Sequence, residues 1–469
     1  MTTVKVIHVI AGLKKVGGAE LMLKRLIETQ NGGSEFEHSI ISLSDLGEFG
    51  QGLIEAGISV DVLGMTSMRD MPRVLLRLIG IFRERRPDIV QTWMYHSDLL
   101  GGLAARMAGI GGIIWGVRTT DLQEGGKSTT VLVRKVCAWL SGFLPKYIVC
   151  AAEASRRSHI AVGYNASRML VIPNGFDLTR LQATDEQRSA IRSGAGIEAS
   201  DIVIGSLGRF HPVKDHASFV AAAGLLAPRY SRLKFLLVGR ELLSSNAELQ
   251  RLIEATGYAE RFILLGERQD VASCLKAMDI FCLHSRTEGF PNVLGEAMAM
   301  GLPCITTDVG DAAYLLGNDG VVVPALDPNA LGKGIEDLIA LDVEGRRALG
   351  EAARQRIYSN FTMASASQRF MSLYRDILVK EKLDELEGYV CKTHRGVCMK
   401  PVLLMIVNDP AFFMSHRLPV AVGAQQAGFQ VHIATRPGDA VKKIVSQGFL
   451  HHELPLSRSG KNPFQSCIC

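Results

Sequence analysis

The sequence predicts an α/β fold of two Rossmann-like domains that face each other across a cleft. Apolar runs of strand length alternate with amphipathic runs of helix length over most of the 469 residues, which is typical of parallel sheets covered by helices. A glycine-containing loop joins the first strand to the first helix, as in Rossmann-like folds. The alternation pauses in a polar stretch at residues 181–201, predicted to be a hinge of low order, and then starts again.

The first domain is expected over residues 1–175. Its predicted strands are residues 4–10, 38–43, 60–63, 87–93, 112–117 and 147–152, and its predicted helices include residues 19–29, 71–86 and 97–109.

The second domain is expected over residues 176–365. Its predicted strands are residues 202–208, 233–239, 262–266, 280–283, 303–306 and 321–324, and its predicted helices are residues 217–226, 246–257, 270–278, 293–300, 328–341 and 344–358.

The sequence predicts three further segments in the last part of the chain. A helix over about 363–382 is long enough for its residues 366–382 to cross back to the first domain. Residues 383–399 have the composition of a polar connector. Residues 400–469 start another α/β unit but supply two or three strands at most, so we expect a partial Rossmann-like segment.

Composition indicates an ordinary globular protein, with 47% hydrophobic and 21% charged residues. No run of about 18 apolar residues predicts a membrane-spanning helix. The N-terminus lacks the pattern of a signal peptide. The nine cysteines form no CxxC pair and match no zinc spacing, so we expect reduced thiols in a cytoplasmic protein.

The net charge of +5 is unevenly distributed. Residues 1–175 hold 20 Lys/Arg against 15 Asp/Glu, whereas residues 176–380 hold 22 against 25. Two basic amphipathic stretches, residues 69–86 and 127–146, either lie on an anionic membrane or pack on the core with a solvated basic face. The basic residues do not alternate with aromatic ones, so no nucleic-acid partner is expected.

The most informative stretch is residues 280–311, which predicts a strand, a loop, a helix and a second strand. Glu288 lies in the loop and Glu296 in the helix, with seven residues between them. A helix N-terminus offers free N–H groups to an anion, and carboxylates accept hydrogen bonds from hydroxyls. This combination suits a nucleotide-sugar diphosphate, although a loop and a helix carboxylate are also ordinary surface groups.

Two cations, Arg209 and Lys214, follow the first strand of the second domain. Fixed cations near a helix N-terminus can hold a diphosphate and stabilise it as it leaves. The alternative is that both are surface charges in a polar loop.

These motifs resemble the retaining GT-B glycosyltransferases of family 4 over about residues 4–380. The likeness is carried by Gly208-Arg209 with Lys214 and by SRTEGFPNVLGEAMAMGLPCITTDVGD, with its two glutamates separated by seven residues. VIAGLKKVGGAE, VQTWMYHSD and LVIPNGFD resemble the first loop, the histidine-bearing strand end and the interdomain turn of that family. PVLLMIVNDPAFFMSHRLPVAVGAQQAGFQVHIAT is similar to the start of another glycosyltransferase.

The resemblance implies roles in the second domain. Arg209 and Lys214 would bind the diphosphate. Glu288 would face the hydroxyls of the donor sugar, and Glu296 would bind the ribose hydroxyls. Backbone N–H groups would line the phosphate and the sugar at three positions, namely Asn292, Val293 and Leu294.

In the first domain, the resemblance places His96 at the donor sugar, near the point where the acceptor attacks. Gly17 and Gly18 would let the first loop approach the donor closely. One departure is Asp311, since many members of the family have a second glycine there.

The resemblance further implies transfer with retention at the anomeric carbon, without a metal or other cofactor. The donor would be a nucleotide sugar, expected to be UDP-linked. The acceptor would be a lipid-linked or growing saccharide of cell-surface polysaccharide biosynthesis, such as lipopolysaccharide or exopolysaccharide, at the inner face of the membrane. Alternative readings are a sugar-nucleotide epimerase or phosphorylase of similar fold, or an inactive sugar-nucleotide-binding partner.

Overall fold

The computed structural model describes residues 3–14, 17–30, 33, 35–120, 128–393 and 401–454. The chain forms two compact units, Met1–Leu378 and Val379–Cys469. The first unit contains two parallel sheets flanked by helices, which confirms the predicted pair of Rossmann-like domains.

The first sheet has seven parallel strands in the order β3-β2-β1-β4-β5-β6-β7. Its strands are β1 (Val4–Ile10), β2 (Phe36–Ser42), β3 (Ser59–Val62), β4 (Ile89–Trp93), β5 (Ile113–Val117), β6 (Tyr147–Cys150) and β7 (Met169–Val171). The helices of this domain are α1 (Gly18–Gln30), α2 (Gly47–Glu55), α3 (Met71–Arg85), α4 (Tyr95–Met107), α5 (Ser128–Leu140) and α6 (Glu153–Ala161). Strands β4 and β5 are buried along their whole length, as expected for central strands covered on both faces.

The second sheet has six parallel strands in the order β10-β9-β8-β11-β12-β13. Its strands are β8 (Ile202–Leu207), β9 (Leu233–Val238), β10 (Phe262–Leu264), β11 (Ile280–Leu283), β12 (Cys304–Thr307) and β13 (Gly320–Val323). Helix α7 (Asp185–Gly194) precedes this sheet, and its other helices are α8 (His216–Leu226), α9 (Ala247–Glu254), α10 (Val271–Lys276), α11 (Asn292–Ala299), α12 (Ala312–Leu316), α13 (Pro328–Ala340) and α14 (Val343–Asn360).

Helix α7 lies in the stretch that the sequence predicts to be a hinge of low order, so the prediction of low order is wrong. A capping box of Thr184 and Gln187 starts the helix. The helix has one large apolar residue, Ile191, which packs against the core of the second domain. Arg188 and Arg192 add two ion pairs to Asp279, at 2.7 and 3.1 Å. A pattern search based on apolar periodicity misses such a helix.

Helix α15 (Met363–Thr393) begins in the first unit and extends into the predicted connector. Its buried Phe370 and Ile377 pack in the same apolar cluster as Trp93 of β4. The hydroxyl of Tyr374 donates to Gln91 Oε1 at 2.5 Å. The chain therefore returns from the second domain to the core of the first.

The second unit contains a three-stranded parallel sheet in the order β14-β15-β16. Its strands are β14 (Val402–Ile406), β15 (Gln430–Thr435) and β16 (Leu450–Glu453), and its helices are α16 (Pro410–Phe412), α17 (Leu418–Gln426) and α18 (Val441–Ser446). The order matches that of β1, β2 and β3, the first three strands of the first domain. Residues 455–469 of the predicted partial segment and the side chains of the predicted connector, residues 383–399, lie outside the described part of the chain.

Candidate functional site

The predicted site residues follow the strands at which each sheet reverses its order. The first sheet reverses between β1 and β4, and the second between β8 and β11. Gly18 and His96 follow β1 and β4, and Lys214 and Glu288 follow β8 and β11. Ligands of open α/β sheets bind at the carboxyl ends of the strands at such reversals. The topology therefore places these residues at the two sheet edges where ligands bind in folds of this kind.

Lys214 and Glu288 form an ion pair. Lys214 Nζ lies 2.5 Å from Glu288 Oε1, and both side chains are mostly buried, with 20% and 13% exposed. The hydroxyl of Ser285 donates to the same carboxylate oxygen at 2.6 Å. Lys214, predicted to bind the phosphate, and Glu288, predicted to bind the sugar, therefore contact each other directly. Arg209 is exposed and makes no ion pair within the described part of the chain.

The Lys214 loop is anchored by His284, a residue that the sequence analysis did not select. The Nδ1–H of His284 donates to Lys214 O at 2.5 Å, and Ser206 donates to its Nε2 at 2.8 Å. The N–H of Arg286 donates to Val213 O at 2.8 Å. Burial lowers the pKa of His284 to about 4, so the ring is neutral at pH 7 and keeps this single donor and single acceptor.

The N-terminus of α11 lies directly after the Glu288 loop. Among the residues that the structure describes, the N–H groups of Asn292 and Val293 have no acceptor, whereas that of Leu294 donates to Pro291 O at 3.1 Å. Two of the three predicted N–H groups are therefore available to an anion. The side chain of Leu294 is fully buried in the core.

Glu296 lies one turn into α11 and is largely shielded from solvent. Burial raises the pKa of its carboxyl to about 7, and the charge of Arg25 on α1 opposes that shift. A carboxyl that titrates near neutral pH in a cleft is typical of a functional group. Arg25 belongs to the first domain, so both domains set the charge of this group.

Phe176 of the interdomain turn packs on α11 beside Glu296. A Cβ at Gly295 would lie 2.0 Å from Cζ of the Phe176 ring, so only glycine fits here. The backbone of Phe176 also bonds to Phe361 and Met363, at 2.8 and 3.0 Å. The turn that joins the domains therefore packs directly against α11 and limits how closely the helix can approach it.

A hydrogen-bonded chain crosses the cleft at Asn292. Asn174 Nδ2 donates to Asn292 Oδ1 at 3.0 Å, and Arg118 Nη1 donates to Asn174 Oδ1 at 2.8 Å. The Arg118 guanidinium lies 4.9 Å from the centroid of the Trp93 ring, and burial lowers its pKa to about 10. A Cβ at Gly18 would lie 3.5 Å from Asn292 Nδ2, so the first loop touches the same amide.

His96 is half-buried in the first turn of α4, and burial lowers the pKa of its imidazole, which favours the neutral ring. Met94 precedes it with φ 73° and ψ 159°, a conformation that is essentially confined to glycine. Such a residue costs roughly 1–3 kcal/mol and is concentrated at functional sites. Gly17 donates its N–H to Glu20 Oε2 at 2.9 Å, at the start of α1.

Two family models match the two domains of the first unit. Glycosyltransferase Family 4 matches residues 16–180, and Glycosyl transferases group 1 matches residues 201–340. The chain belongs to this glycosyltransferase family.

Curated relatives of this glycosyltransferase are 25–29% identical to it over the aligned residues. A UDP-Gal:alpha-D-GlcNAc-diphosphoundecaprenol alpha-1,3-galactosyltransferase of Escherichia coli is 26% identical over 67% of this chain and 81% of its own. The lipopolysaccharide core biosynthesis mannosyltransferase LpcC of Rhizobium leguminosarum bv. viciae is 29% identical over 69% of this chain and 90% of its own.

Solved structures show the same fold. The Anabaena protein Alr3699/HepE, crystallised with UDP, superposes with a TM-score of 0.69 at 22% identity, over 79% of this chain and all of its own. WaaG, a glycosyltransferase of lipopolysaccharide biosynthesis, superposes with a TM-score of 0.57 at 16% identity, over 78% and 98%. The GT-B architecture of this glycosyltransferase is thereby confirmed.

The described helices of this glycosyltransferase include none that is both long and apolar enough to cross a bilayer.

Three residues of the site could not be predicted from the sequence, namely Arg118, Asn174 and His284. Each forms its hydrogen bond with a residue at least 56 positions away. Their only sequence signal is their position just after a strand or in the interdomain turn.

Proposed function

We propose that this glycosyltransferase moves a sugar from a UDP-linked donor to a lipid-linked or growing saccharide in cell-surface polysaccharide biosynthesis. The name of the Escherichia coli relative specifies a UDP-sugar donor and a diphosphoundecaprenol acceptor. The capsular polysaccharide glycosyltransferase CapM of Staphylococcus aureus, 25% identical, and LpcC point to the same kind of pathway.

The observation that carries the proposal is the Lys214–Glu288 pair beside the open N-terminus of α11. A diphosphate binding at Asn292 and Val293 would draw Lys214 toward its charge, with exposed Arg209 as a second cation. Ser285 would still satisfy Glu288, which is then free to accept hydroxyls of the donor sugar. Glu296, one turn further on, would accept the ribose hydroxyls.

Chemistry at this site would proceed with retention at the anomeric carbon. Arg209, Lys214 and the helix N-terminus stabilise the negative charge that develops on the leaving diphosphate. The leaving phosphate then takes the proton of the acceptor hydroxyl on the same face of the sugar. Glu296 is engaged by the nucleotide, so it does not act as the second carboxylate of a hydrolase-type mechanism. With His96 at the sugar, acceptor attack occurs from the side of the first domain.

Positive charge from the protein would also make a metal unnecessary for this step. Activity should persist in excess EDTA. Loss of transfer in EDTA with full recovery on adding Mg²⁺ or Mn²⁺ would contradict this part of the proposal.

We infer that the first domain meets an anionic membrane through α5 and the turn after it. Leu132, Lys135, Trp139 and Phe143 recur every three or four residues on one exposed face, and Trp139 and Phe143 pack edge to face at 5.3 Å. Trp139 is 72% exposed and Leu132 62% exposed. Apolar and aromatic groups beside a lysine fit the interface of an anionic bilayer.

Vesicle sedimentation tests this surface. The protein should bind phosphatidylglycerol vesicles more than phosphatidylcholine vesicles, and W139A/F143A should lose most of that binding. Val343→Ala removes a 73% exposed side chain from the second domain and should leave binding unchanged. Equal binding by the double variant would refute the membrane surface without affecting the transfer reaction.

The transfer reaction is tested with a panel of nucleotide sugars and a GlcNAc-diphospholipid acceptor, with the glycolipid product read by mass spectrometry. A UDP-sugar should be consumed, and NMR of the product should show the anomeric configuration of the donor. Release of an epimerised free sugar would favour the epimerase. Binding of UDP-sugars without any product would favour an inactive sugar-nucleotide-binding partner.

A further inference from the structure

Asp311 caps a helix of the opposite domain. Its two carboxylate oxygens accept the N–H groups of Glu153 and Ala154 at 2.6 and 2.9 Å. These N–H groups open α6 of the first domain, whose own N-cap residue, Ala152, has no side-chain oxygen to offer. A carboxylate at a helix N-terminus is stabilised by both the N–H groups and the helix dipole. Helix α6 therefore receives its cap from the second domain.

Asp311 is also bound to the Glu288 loop. Its N–H donates to Gly289 O at 2.9 Å. Gly310, with φ 59°, packs so closely that a Cβ there would lie 2.3 Å from Glu288 O. Any movement of Asp311 would therefore move the backbone of Glu288.

Helix α6 in turn binds the first-domain loop after β5, which contacts the Glu288 loop. The hydroxyls of Ser155 and Ser158 donate to Thr119 O and Thr120 O, each at 2.6 Å. A Cβ at Gly289 would lie 2.7 Å from Thr120 Oγ1. The Glu288 loop is thus held between Asp311 and the loop that follows β5.

We propose that Asp311 is a positioning residue for transfer, which fixes the Glu288 loop against the first domain. This inference rests on the proposed function, because it assumes that sugar transfer requires the two domains to be in contact. The groups that would bind the donor diphosphate, Lys214 and the N-terminus of α11, belong to the second domain. Loss of the Asp311 contact should therefore lower kcat while leaving the KM for the donor nearly unchanged.

Hydrogen exchange read by mass spectrometry tests the contact itself. In Asp311→Ala, peptides covering residues 152–156 and 286–294 should both exchange at least several-fold faster. Asp311→Asn keeps one acceptor oxygen and should give a smaller increase. Asp308→Ala, an exposed aspartate in the same loop, is the control and should match the parent protein. Unchanged exchange in both Asp311 variants would overturn the proposal.

Steady-state kinetics test the consequence. Asp311→Ala should lower kcat by about ten- to a hundredfold with a donor KM within threefold of the parent value, and Asp311→Asn should recover part of kcat. A rise of donor KM in place of the fall in kcat would overturn the positioning role, as would faster exchange at residues 152–156 with unchanged kcat. If the parent protein transfers no sugar, the proposed function fails, and exchange at residues 286–294 still decides whether Asp311 holds the loop.

Discussion

Lys214 Nζ and Glu288 Oε1 lie 2.5 Å apart, although 74 residues separate them in the sequence. The two side chains form an ion pair with each other, and Glu288 also accepts a hydrogen bond from the hydroxyl of Ser285. The pair keeps both charges neutralised in a mostly buried place, where an unpaired charge is costly. In the proposed reaction, it would also supply a cation to the incoming diphosphate.

This pairing predicts non-additive losses of activity. Lys214→Met and Glu288→Gln should each lower kcat/KM by about 100- to 1,000-fold, as removal of one preorganised charge-stabilising group does. The double variant should lose much less than the product of the two, because each single change already disrupts the shared pair. Steady-state kinetics with the nucleotide sugar that the panel selects provide the measurement.

Two surface variants serve as matched controls for that cycle. Lys333→Met and Glu267→Gln alter charges of the same domain whose side chains are 66% and 56% exposed, and both should keep parental kcat/KM. Fully multiplicative losses in the double variant would show that Lys214 and Glu288 act independently.

The sequence predicted those parts of the fold and site that depend on local pattern. Glu288 and Lys214 lie in glycine-containing loops that follow apolar strands, so the sequence predicts that both residues lie at strand ends. Helix α7 was missed because it has few apolar residues and is anchored in part by Arg188 and Arg192, which pair with Asp279. Such charges look exposed in a sequence. The Asp311 cap was missed for a related reason, since its partners lie more than 150 positions away in another domain.

Glu296 predicts a pH dependence of donor binding. Its pKa of about 7 means that the carboxyl is mostly protonated at pH 6 and mostly ionised at pH 8. Only the ionised form offers all its oxygen lone pairs to the ribose hydroxyls. The affinity for a UDP-sugar should therefore rise by up to about tenfold from pH 6 to pH 8, as expected for one titrating group.

Isothermal titration calorimetry at pH 6, 7 and 8 measures this effect. Glu296→Gln should bind more weakly at pH 8 and show a flat profile, whereas Glu267→Gln should keep the parental slope. A flat profile in the parent protein would mean that Glu296 does not bind the donor through its ionised form.

The contact of Gly295 with Phe176 predicts that a single methyl group perturbs the donor-side helix. Gly295→Ala places a Cβ 2.0 Å from the Phe176 ring. Overpacking of this kind costs about 1–3 kcal/mol. The displaced α11 should also weaken donor binding, because Glu296 is the next residue. Thermal unfolding and titration with UDP-sugar measure the two effects.

Two further variants separate the clash from helix propensity. Phe176→Leu in the Gly295→Ala background should recover part of both losses by removing ring atoms. Gly332→Ala in α13, where the nearest atom to the new Cβ is 3.8 Å away, should be neutral or slightly stabilising. If Gly295→Ala behaved like Gly332→Ala, the packing of Phe176 on α11 would be looser than the structure shows.

The buried histidines of the first domain predict a loss of stability in mild acid. Trp93 Nε1–H donates to His8 Nδ1 at 3.3 Å, so the Nε2–H of His8 donates to His38 Nδ1 at 3.0 Å, and both rings are neutral. Burial lowers the pKa of His38 to about 4 and that of His8 well below its usual value. The unfolded chain therefore binds more protons between pH 4 and 6.5. Stability is fully present above pH 6.5 and falls with pH, by about 3 kcal/mol for His38 alone at pH 4.

Denaturation by urea at pH 7 and pH 5 measures this loss as a shift of the first-domain midpoint. His38→Asn keeps an acceptor for His8 but does not titrate, so its midpoint should be lower at pH 7 and should change less between the two pH values. His416→Asn replaces an exposed histidine of the second unit and should leave the pH dependence of the first domain unchanged. An equal pH dependence in His38→Asn and the parent protein would assign the acid sensitivity to other groups, among which the buried His284 of the second domain, with its pKa of about 4, is the next to test.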